Sequence, residues 1–126
     1  MSARARRTAA GEAGFTLIEV LMATLLKADR TAALRRQVQV ATQVDAETRS
    51  IRSGITGRVI RFPADVSLNA LLAQRCADRN AGRSIDFFPS GMSCGGTIAM
   101  ARPGMGYEVR VNWLTGGVEI VPNKLL

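Results

Sequence analysis

The chain has 126 residues, of which 47% are hydrophobic and 21% charged, a composition that favours one folded domain with an extension over a disordered chain. It has no histidine and two cysteines, which excludes catalytic sites that need an imidazole and structural zinc sites that need three or four nitrogen or sulfur ligands. The formal charge of +7 indicates a basic solvated surface or, alternatively, an acidic partner such as nucleic acid or anionic lipid.

Residues 1–14 form a short basic leader, and an apolar run follows it directly. Three arginines make the leader basic: Arg4, Arg6 and Arg7. In a secretory signal peptide the apolar stretch precedes the cleavage site and is removed with the peptide. Here a cut at Gly14 would leave the apolar run on the mature chain. The run covers the twelve residues from Phe15 to Leu26, and its polar members are Thr16, Glu19 and Thr24.

A long helix is predicted next, in a region that covers residues 15–54. No proline or glycine interrupts residues 15–53, where the helix formers Ala, Leu, Arg and Gln dominate. Five apolar side chains fall on one helical stripe: Leu34, Val38, Ala41, Val44 and Ile51. Gly54 and Gly57 supply the stop signal. At about 1.5 Å per residue the helix would be roughly 58 Å long, so its N-terminal half is expected to protrude or to find partners.

Residues 55–126 predict short antiparallel strands. Six runs of β-type residues cover 58–62, 66–72, 84–88, 96–100, 107–113 and 118–121. Apolar and polar residues alternate along the fifth run, which predicts an inward face that ends with Trp113 in the core. Turn residues separate the runs, so the connections are short and favour an antiparallel meander. The predicted class is α+β, with a long N-terminal helix packed by its C-terminal half on a small antiparallel β-sheet.

The stretch from Gly14 to Val20, GFTLIEV, resembles the N-terminal signal of type IV pilins and pseudopilins. A glycine precedes the expected cut, a phenylalanine follows it, and a glutamate is the fifth residue of the mature chain. The resemblance implies that a prepilin peptidase cleaves between Gly14 and Phe15 and that Phe15 is N-methylated. It also implies that Glu19 docks the subunit by pairing with the free amino group of a neighbouring subunit, since a carboxylate in an apolar segment is costly without a partner.

Two later segments resemble the GspH/FimT group of minor pseudopilins and pilins. Residues 85–98, IDFFPSGMSCGGTI, contain an F-x-P-x-G turn before a strand that carries two glycines. Residues 107–118, YEVRVNWLTGGV, contain a W-L-T-G turn that would join the last two strands. The local chemistry agrees, because the turn at 89–91 favours Pro and Gly, and the turn at 115–117 favours a hairpin with positive φ. The resemblance implies a pilin-like fold.

The resemblance also implies a location in the bacterial inner membrane, with a single pass and a periplasmic C-terminal domain. The expected partners are other pseudopilins or pilins in a filament, the prepilin peptidase and the inner membrane. The apolar run is short for this family, because three charged residues close it: Lys27, Asp29 and Arg30. Twelve helical residues span roughly 18 Å, against about 30 Å for a bilayer core. Such a half anchor is expected to hold only when neighbouring helices complete it.

Cys76 and Cys94 flank the predicted strand at 84–88. In an oxidising periplasm oxidation is favoured, and a disulfide between the two cysteines is one of two expectations. A bond that closes this separation would stabilise the fold by about 3 kcal/mol in the loop-entropy model. Two buried, unpaired thiols are the alternative, because the sequence carries no Cα distance.

The favoured function is a minor pseudopilin of a type II secretion system, a structural subunit of the periplasmic pseudopilus that assists the export of folded proteins. No enzymatic activity, cofactor or metal is expected, since no paired carboxylates or phosphate-binding loop can be identified. The alternative is a FimT-like minor pilin of a type IV pilus that binds DNA for uptake. In that interpretation Arg102, Arg110 and Lys124 would form a patch for nucleic acid or another acidic partner.

Overall fold

The computed structural model describes residues 17–77, 79–80, 82–103 and 105–122. Within these ranges the chain forms one helix, α1 (Leu17–Arg36), followed by ten strands. The strands are β1 (Val40–Asp45), β2 (Ser50–Arg52), β3 (Val59–Arg61), β4 (Ser67–Leu72), β5 (Arg75–Cys76), β6 (Arg79–Asn80), β7 (Ser84–Phe87), β8 (Gly96–Arg102), β9 (Met105–Val111) and β10 (Val118–Pro122). The six predicted runs are confirmed as β3, β4, β7, β8, β9 and β10.

Helix α1 ends at Arg36, well before the predicted end of the helix. Gln37 takes a left-handed conformation with φ 56°, and the N–H of Val38 donates to the carbonyl of Ala33 at 3.3 Å. This arrangement terminates helices and is usually built on glycine. The side-chain amide of Gln37 adds a cap by donating to the carbonyl of Leu34 at 2.7 Å. Because a glutamine occupies the place of the expected glycine, the sequence carries no stop signal here.

The segment predicted as the second half of the helix forms β1 and β2 instead. Every second residue of β1 is buried, beginning at Val40, and this period of two competes with the helical stripe. Asp45 closes the turn to β2 by accepting hydrogen bonds from the N–H groups of Glu47 at 3.0 Å and Thr48 at 3.2 Å. The backbone bond from Thr48 is the main reason that the pKa of the Asp45 carboxyl lies below its ordinary value. The sheet region therefore begins at Val40 rather than at residue 55.

The strands form two four-stranded antiparallel sheets, in the orders β3-β2-β1-β7 and β10-β9-β8-β4. Strands β5 and β6 pair separately as a short hairpin. Helix α1 contacts β1 and β7 of the first sheet and β9 and β10 of the second, so the core lies between the helix and both sheets. Representative core residues are Met22, Leu26, Val44, Ile51, Phe87, Ile98 and Val109. The predicted α+β class is confirmed, with two four-stranded sheets and a short hairpin where one sheet was expected.

Candidate assembly site

The inward face of α1 takes up much of the apolar run that was predicted as a membrane or filament segment. Its buried residues extend along the helix: Glu19, Met22, Ala23, Leu25, Leu26, Asp29 and Ala33. The outward face leaves Leu17 71% exposed, and Val20 and Leu21 are exposed as well. The helix therefore packs on the sheets along most of its length, and not only by its C-terminal half as predicted. Among the described residues, no helix combines the length and the apolar character needed to cross a bilayer.

Glu19 lies in the first turn of α1, on the same inward stripe as Met22 and Leu26. A carboxylate at this end is favoured by the helix dipole. Its side chain is only 3% exposed within the single chain. Gly14 and Phe15 lie outside the described residues, so cleavage and methylation at that junction stay predictions, as does the docking role of Glu19.

Asp29 is the polar centre of the contact between α1 and the first sheet. Its side chain is 0% exposed and accepts three hydrogen bonds. The hydroxyl of Thr42 on β1 donates to Oδ2 at 2.6 Å, and the hydroxyl of Ser53 after β2 donates to Oδ1 at 2.6 Å. The backbone N–H of Gly54 also donates to Oδ2, at 2.9 Å. A buried carboxylate with three donors is well satisfied, so these bonds fix the helix in one position on the sheet.

In the sequence Asp29 is marked only as one of the charged residues that end the apolar run. Its spacing carried more information, because Asp29 falls three residues after the buried Leu26 and four before the buried Ala33. A charged residue on the buried stripe of a helix must find polar partners inside the fold. The polar Thr42 and Ser53 are those partners, but their identity depends on the tertiary structure.

The two turns that resemble the GspH/FimT group converge on the second half of α1. The side chain of Arg30 donates from Nε to the carbonyl oxygen of Thr115 at 3.1 Å, which ties the W-L-T-G turn to the helix. Gly116 has φ 71°, and a Cβ built on it would overlap the carbonyl oxygen of Gly91 in the other turn. Only glycine at 116 therefore permits the backbones of the two turns to meet.

The F-x-P-x-G turn also contacts the helix end directly. The N–H of Gly91 donates to the carbonyl oxygen of Phe88 at 2.9 Å, as expected for a tight turn. The side-chain amide of Gln37 donates to the carbonyl oxygen of Pro89 at 3.3 Å. A Cβ built on Gly91 would lie 3.3 Å from Cδ2 of Leu34, so this turn packs closely on the last turns of α1.

Trp113 is not a core residue, and that prediction is wrong: its side chain is 60% exposed. The alternation of β9 ends at Val111, and Asn112 then starts a turn. The side-chain oxygen of Asn112 accepts hydrogen bonds from the N–H groups of Leu114 at 2.8 Å and Thr115 at 3.0 Å. Because the chain turns here, Trp113 no longer follows the pleat of the strand and points to the surface.

A disulfide joins Cys76 at the end of β5 to Cys94 just before β8, with 5.9 Å between the Cα atoms. The sequence left this disulfide and two buried thiols as alternatives. The bond fastens the β5–β6 hairpin to the second sheet, and Gly95 beside it packs on Trp113. Among the described residues, no group of three or more potential metal ligands is placed to bind an ion.

This architecture matches solved structures from two bacterial assemblies. The minor pseudopilin EpsH from the type II secretion system of Vibrio cholerae superposes with a TM-score of 0.67 at 11% identity, over 84% of this chain and 94% of that chain. A crystal structure of EpsH gives a TM-score of 0.65 at 12% identity, over 87% of this chain and 95% of that chain. The type IV minor pilin FimU of Pseudomonas aeruginosa gives 0.60 at 15% identity, over 82% and 84%. The fold is pilin-like. No family model and no curated protein matches the sequence, so the likeness is one of fold.

The pilin-like fold does not bring the predicted basic patch together. Arg110 lies opposite Thr97 in the sheet, whereas Arg102 is five residues further along β8. An odd separation places the two arginines on opposite faces, roughly 17 Å apart along the strand. Nε of Arg110 is also 2.9 Å from a carboxylate oxygen of Glu108, in an ion pair on the surface. Lys124 lies outside the described residues.

Proposed function

We propose that the chain is a non-enzymatic structural subunit of a pilin-like filament, and specifically a minor pseudopilin of a type II secretion system. The observation that carries this proposal is the packing of an N-terminal helix on two antiparallel sheets in the arrangement of the minor pseudopilin EpsH. The pilin-type signal around Gly14 and Phe15 supports it independently, because it is a feature of the sequence and the likeness to EpsH is one of fold.

In this proposal the leader is removed at Gly14, Phe15 becomes the methylated first residue, and Glu19 docks on the amino group of a neighbouring subunit. The inner membrane and adjacent filament helices hold the start of the chain, and the sheet domain faces the periplasm. The disulfide between Cys76 and Cys94 fits an oxidising compartment of this kind. The hydrogen bonds of Asp29 and Arg30 would keep the sheet domain at a fixed angle to the helix. Contacts between the start of the helix and its filament neighbours would then also set the position of the sheet domain.

Mass spectrometry of the membrane-associated chain tests the processing step. A methylated N-terminal Phe15 is expected, and any other mature N-terminus would contradict the proposal.

The assembly step is tested by comparing Glu19→Ala with Glu47→Ala, which removes a carboxylate from the exposed β1–β2 turn. Both variants should be processed normally, but only Glu19→Ala should fail to enter filaments when the other subunits are expressed. Normal incorporation of Glu19→Ala would remove the docking role of this carboxylate.

A minor pilin of a type IV pilus is the second candidate function. The likeness to FimU favours it, because its TM-score of 0.60 is close to that of EpsH. Deletion of the gene in the parent organism separates the two. Loss of exported proteins from the medium with intact surface pili supports the secretion role, whereas loss of pili with intact export supports the pilus role.

A further inference from the structure

A groove of about 510 Å³ runs between helix α1 and strand β3. Its lining is mostly apolar, from Ile18, Leu21, Leu25 and Ala28 on the helix and from Val59 and Ile60 on the strand. The side chain of Val59 is 39% exposed, although it is apolar. Its strand, β3, is three residues long. An exposed apolar groove of this kind is typical of a surface that binds another chain.

Strand β3 is the edge of the first sheet, and no strand in the described part of the chain pairs with its other side. The N–H of Ser53 donates to the carbonyl of Arg58 at 2.8 Å, and the N–H of Phe62 donates to the carbonyl of Arg49 at 2.8 Å. Residues that bond to one neighbour alternate with residues that bond to the other side. The N–H and C=O groups of Val59 therefore face away from β2, towards the open edge.

The charges on the groove have one sign. Arg58, just before β3, and Arg61, at its end, line the groove on opposite faces of the strand. None of the described residues that line the groove is a carboxylate. Arg52 of β2 lies directly opposite Val59 and is exposed. A second copy of this chain that paired through β3 would bring arginines against arginines, which is unfavourable. The edge therefore selects against self-association and favours a strand that carries carboxylates.

We propose that this groove binds an extended segment of a different protein, which adds to β3 as a further antiparallel or parallel strand. Its backbone would bond to the open side of Val59, and its apolar side chains would cover Leu21 and Leu25. Its carboxylates, which alternate with these apolar side chains and so lie on the other face of the strand, would pair with Arg61. Addition of a strand to a sheet edge is a common way to recognise a peptide, in which backbone bonds give affinity and alternate side chains give specificity. The inference requires neither processing at the N-terminus nor filament assembly.

The test uses the full chain and a fluorescein-labelled decapeptide of alternating valine and glutamate, with a lysine-for-glutamate peptide as the control. Fluorescence anisotropy should show binding of the glutamate peptide only. The variant Arg61→Glu should weaken binding about tenfold or more, since like charges then face each other. Arg75→Glu, an exposed arginine on β5, is the matched control and should leave the affinity of the peptide unchanged.

Val59→Pro distinguishes strand addition from other modes of binding. Proline removes the N–H that faces the open edge but none of the hydrogen bonds to β2, so the sheet should stay intact. Val59→Pro should abolish binding of the glutamate peptide, whereas Val59→Ala, which keeps the N–H, should retain most of it. Equal binding by these two variants would overturn the proposal. Arginine-dependent binding of phosphatidylglycerol vesicles without binding of the peptide would also overturn it, because the surface would then recognise lipid.

Discussion

The hydroxyl of Ser53 donates a 2.6 Å hydrogen bond to the buried carboxylate of Asp29, across 24 residues of chain. Thr42 and the N–H of Gly54 complete the site, and a Cβ on Gly54 would overlap the carbonyl oxygen of Ala41. The charge that ends the apolar run is therefore an internal connection between the helix and the first sheet. The buried stripe of the helix starts at Glu19 and continues past the apolar run to Ala33, so the helix packs on its own domain on both sides of Leu26.

Asp29→Ala is expected to lower the free energy of unfolding by about 3 kcal/mol or more, because it leaves two hydroxyls and one N–H without their buried acceptor. Asp29→Asn keeps the size of the side chain and one acceptor oxygen, so its loss should be smaller. Urea denaturation measures both values. Asp65→Ala is the control, since Asp65 is exposed and its loss should change stability by no more than about 0.5 kcal/mol. Equal stability of the Asp29 and Asp65 variants would contradict the role of the buried site.

The parts of the fold that could be predicted depend on local patterns, and the rest depends on distant contacts. Strand β9 alternates clearly, and the turn at Gly116 requires a residue that tolerates positive φ, so both follow from neighbouring residues. The end of α1 could not be predicted from neighbouring residues. Gln37 adopts the left-handed conformation that glycine usually takes at a helix end, and its side chain donates a hydrogen bond to the carbonyl oxygen of Pro89. Nothing near residue 37 in the sequence indicates that contact.

Gly116→Ala should destabilise the protein more than Gly57→Ala, although both glycines have positive φ, 71° and 76°. At Gly57 a Cβ would meet nothing within 4 Å, so only the backbone strain of about 1–2 kcal/mol applies. At Gly116 a Cβ would also collide with the carbonyl oxygen of Gly91 and approach Nε of Arg30 at 2.9 Å. Thermal unfolding of the two variants measures the difference. Equal losses would show that the two turns do not pack as described.

Trp113 should behave as a surface residue in spectroscopy and in stability. It is the only tryptophan, so its emission can be observed without interference. Its fluorescence is expected to be red-shifted and readily quenched by acrylamide. Trp113→Ala should cost less than about 1 kcal/mol, whereas Phe87→Ala, which removes a fully buried ring, should cost about 3–5 kcal/mol. Blue-shifted emission that resists quenching would instead place Trp113 in the core.

Removal of the disulfide should lower stability substantially. The bond closes a separation of 18 residues, and the loop-entropy model assigns such a cross-link about 3 kcal/mol. The double variant Cys76→Ser with Cys94→Ser should therefore unfold at a lower urea concentration than the wild type. Dithiothreitol should shift the wild type to the same midpoint and leave the double variant unchanged. A wild-type midpoint that does not respond to the reductant would contradict the bond.

DNA binding through Arg102 and Arg110 is not expected, because they lie on opposite faces of the sheet and Arg110 already pairs with Glu108. If both contacted phosphates, their removal would lower the slope of log affinity against log salt by about two. We expect instead that Arg102→Ala with Arg110→Ala changes neither the slope nor the affinity of the full chain for a DNA duplex beyond the control. The control, Arg52→Ala with Arg75→Ala, removes the same charge from other exposed positions. A slope that falls only in the first variant would restore the patch as a DNA-binding surface, and with it the case for a role in DNA uptake.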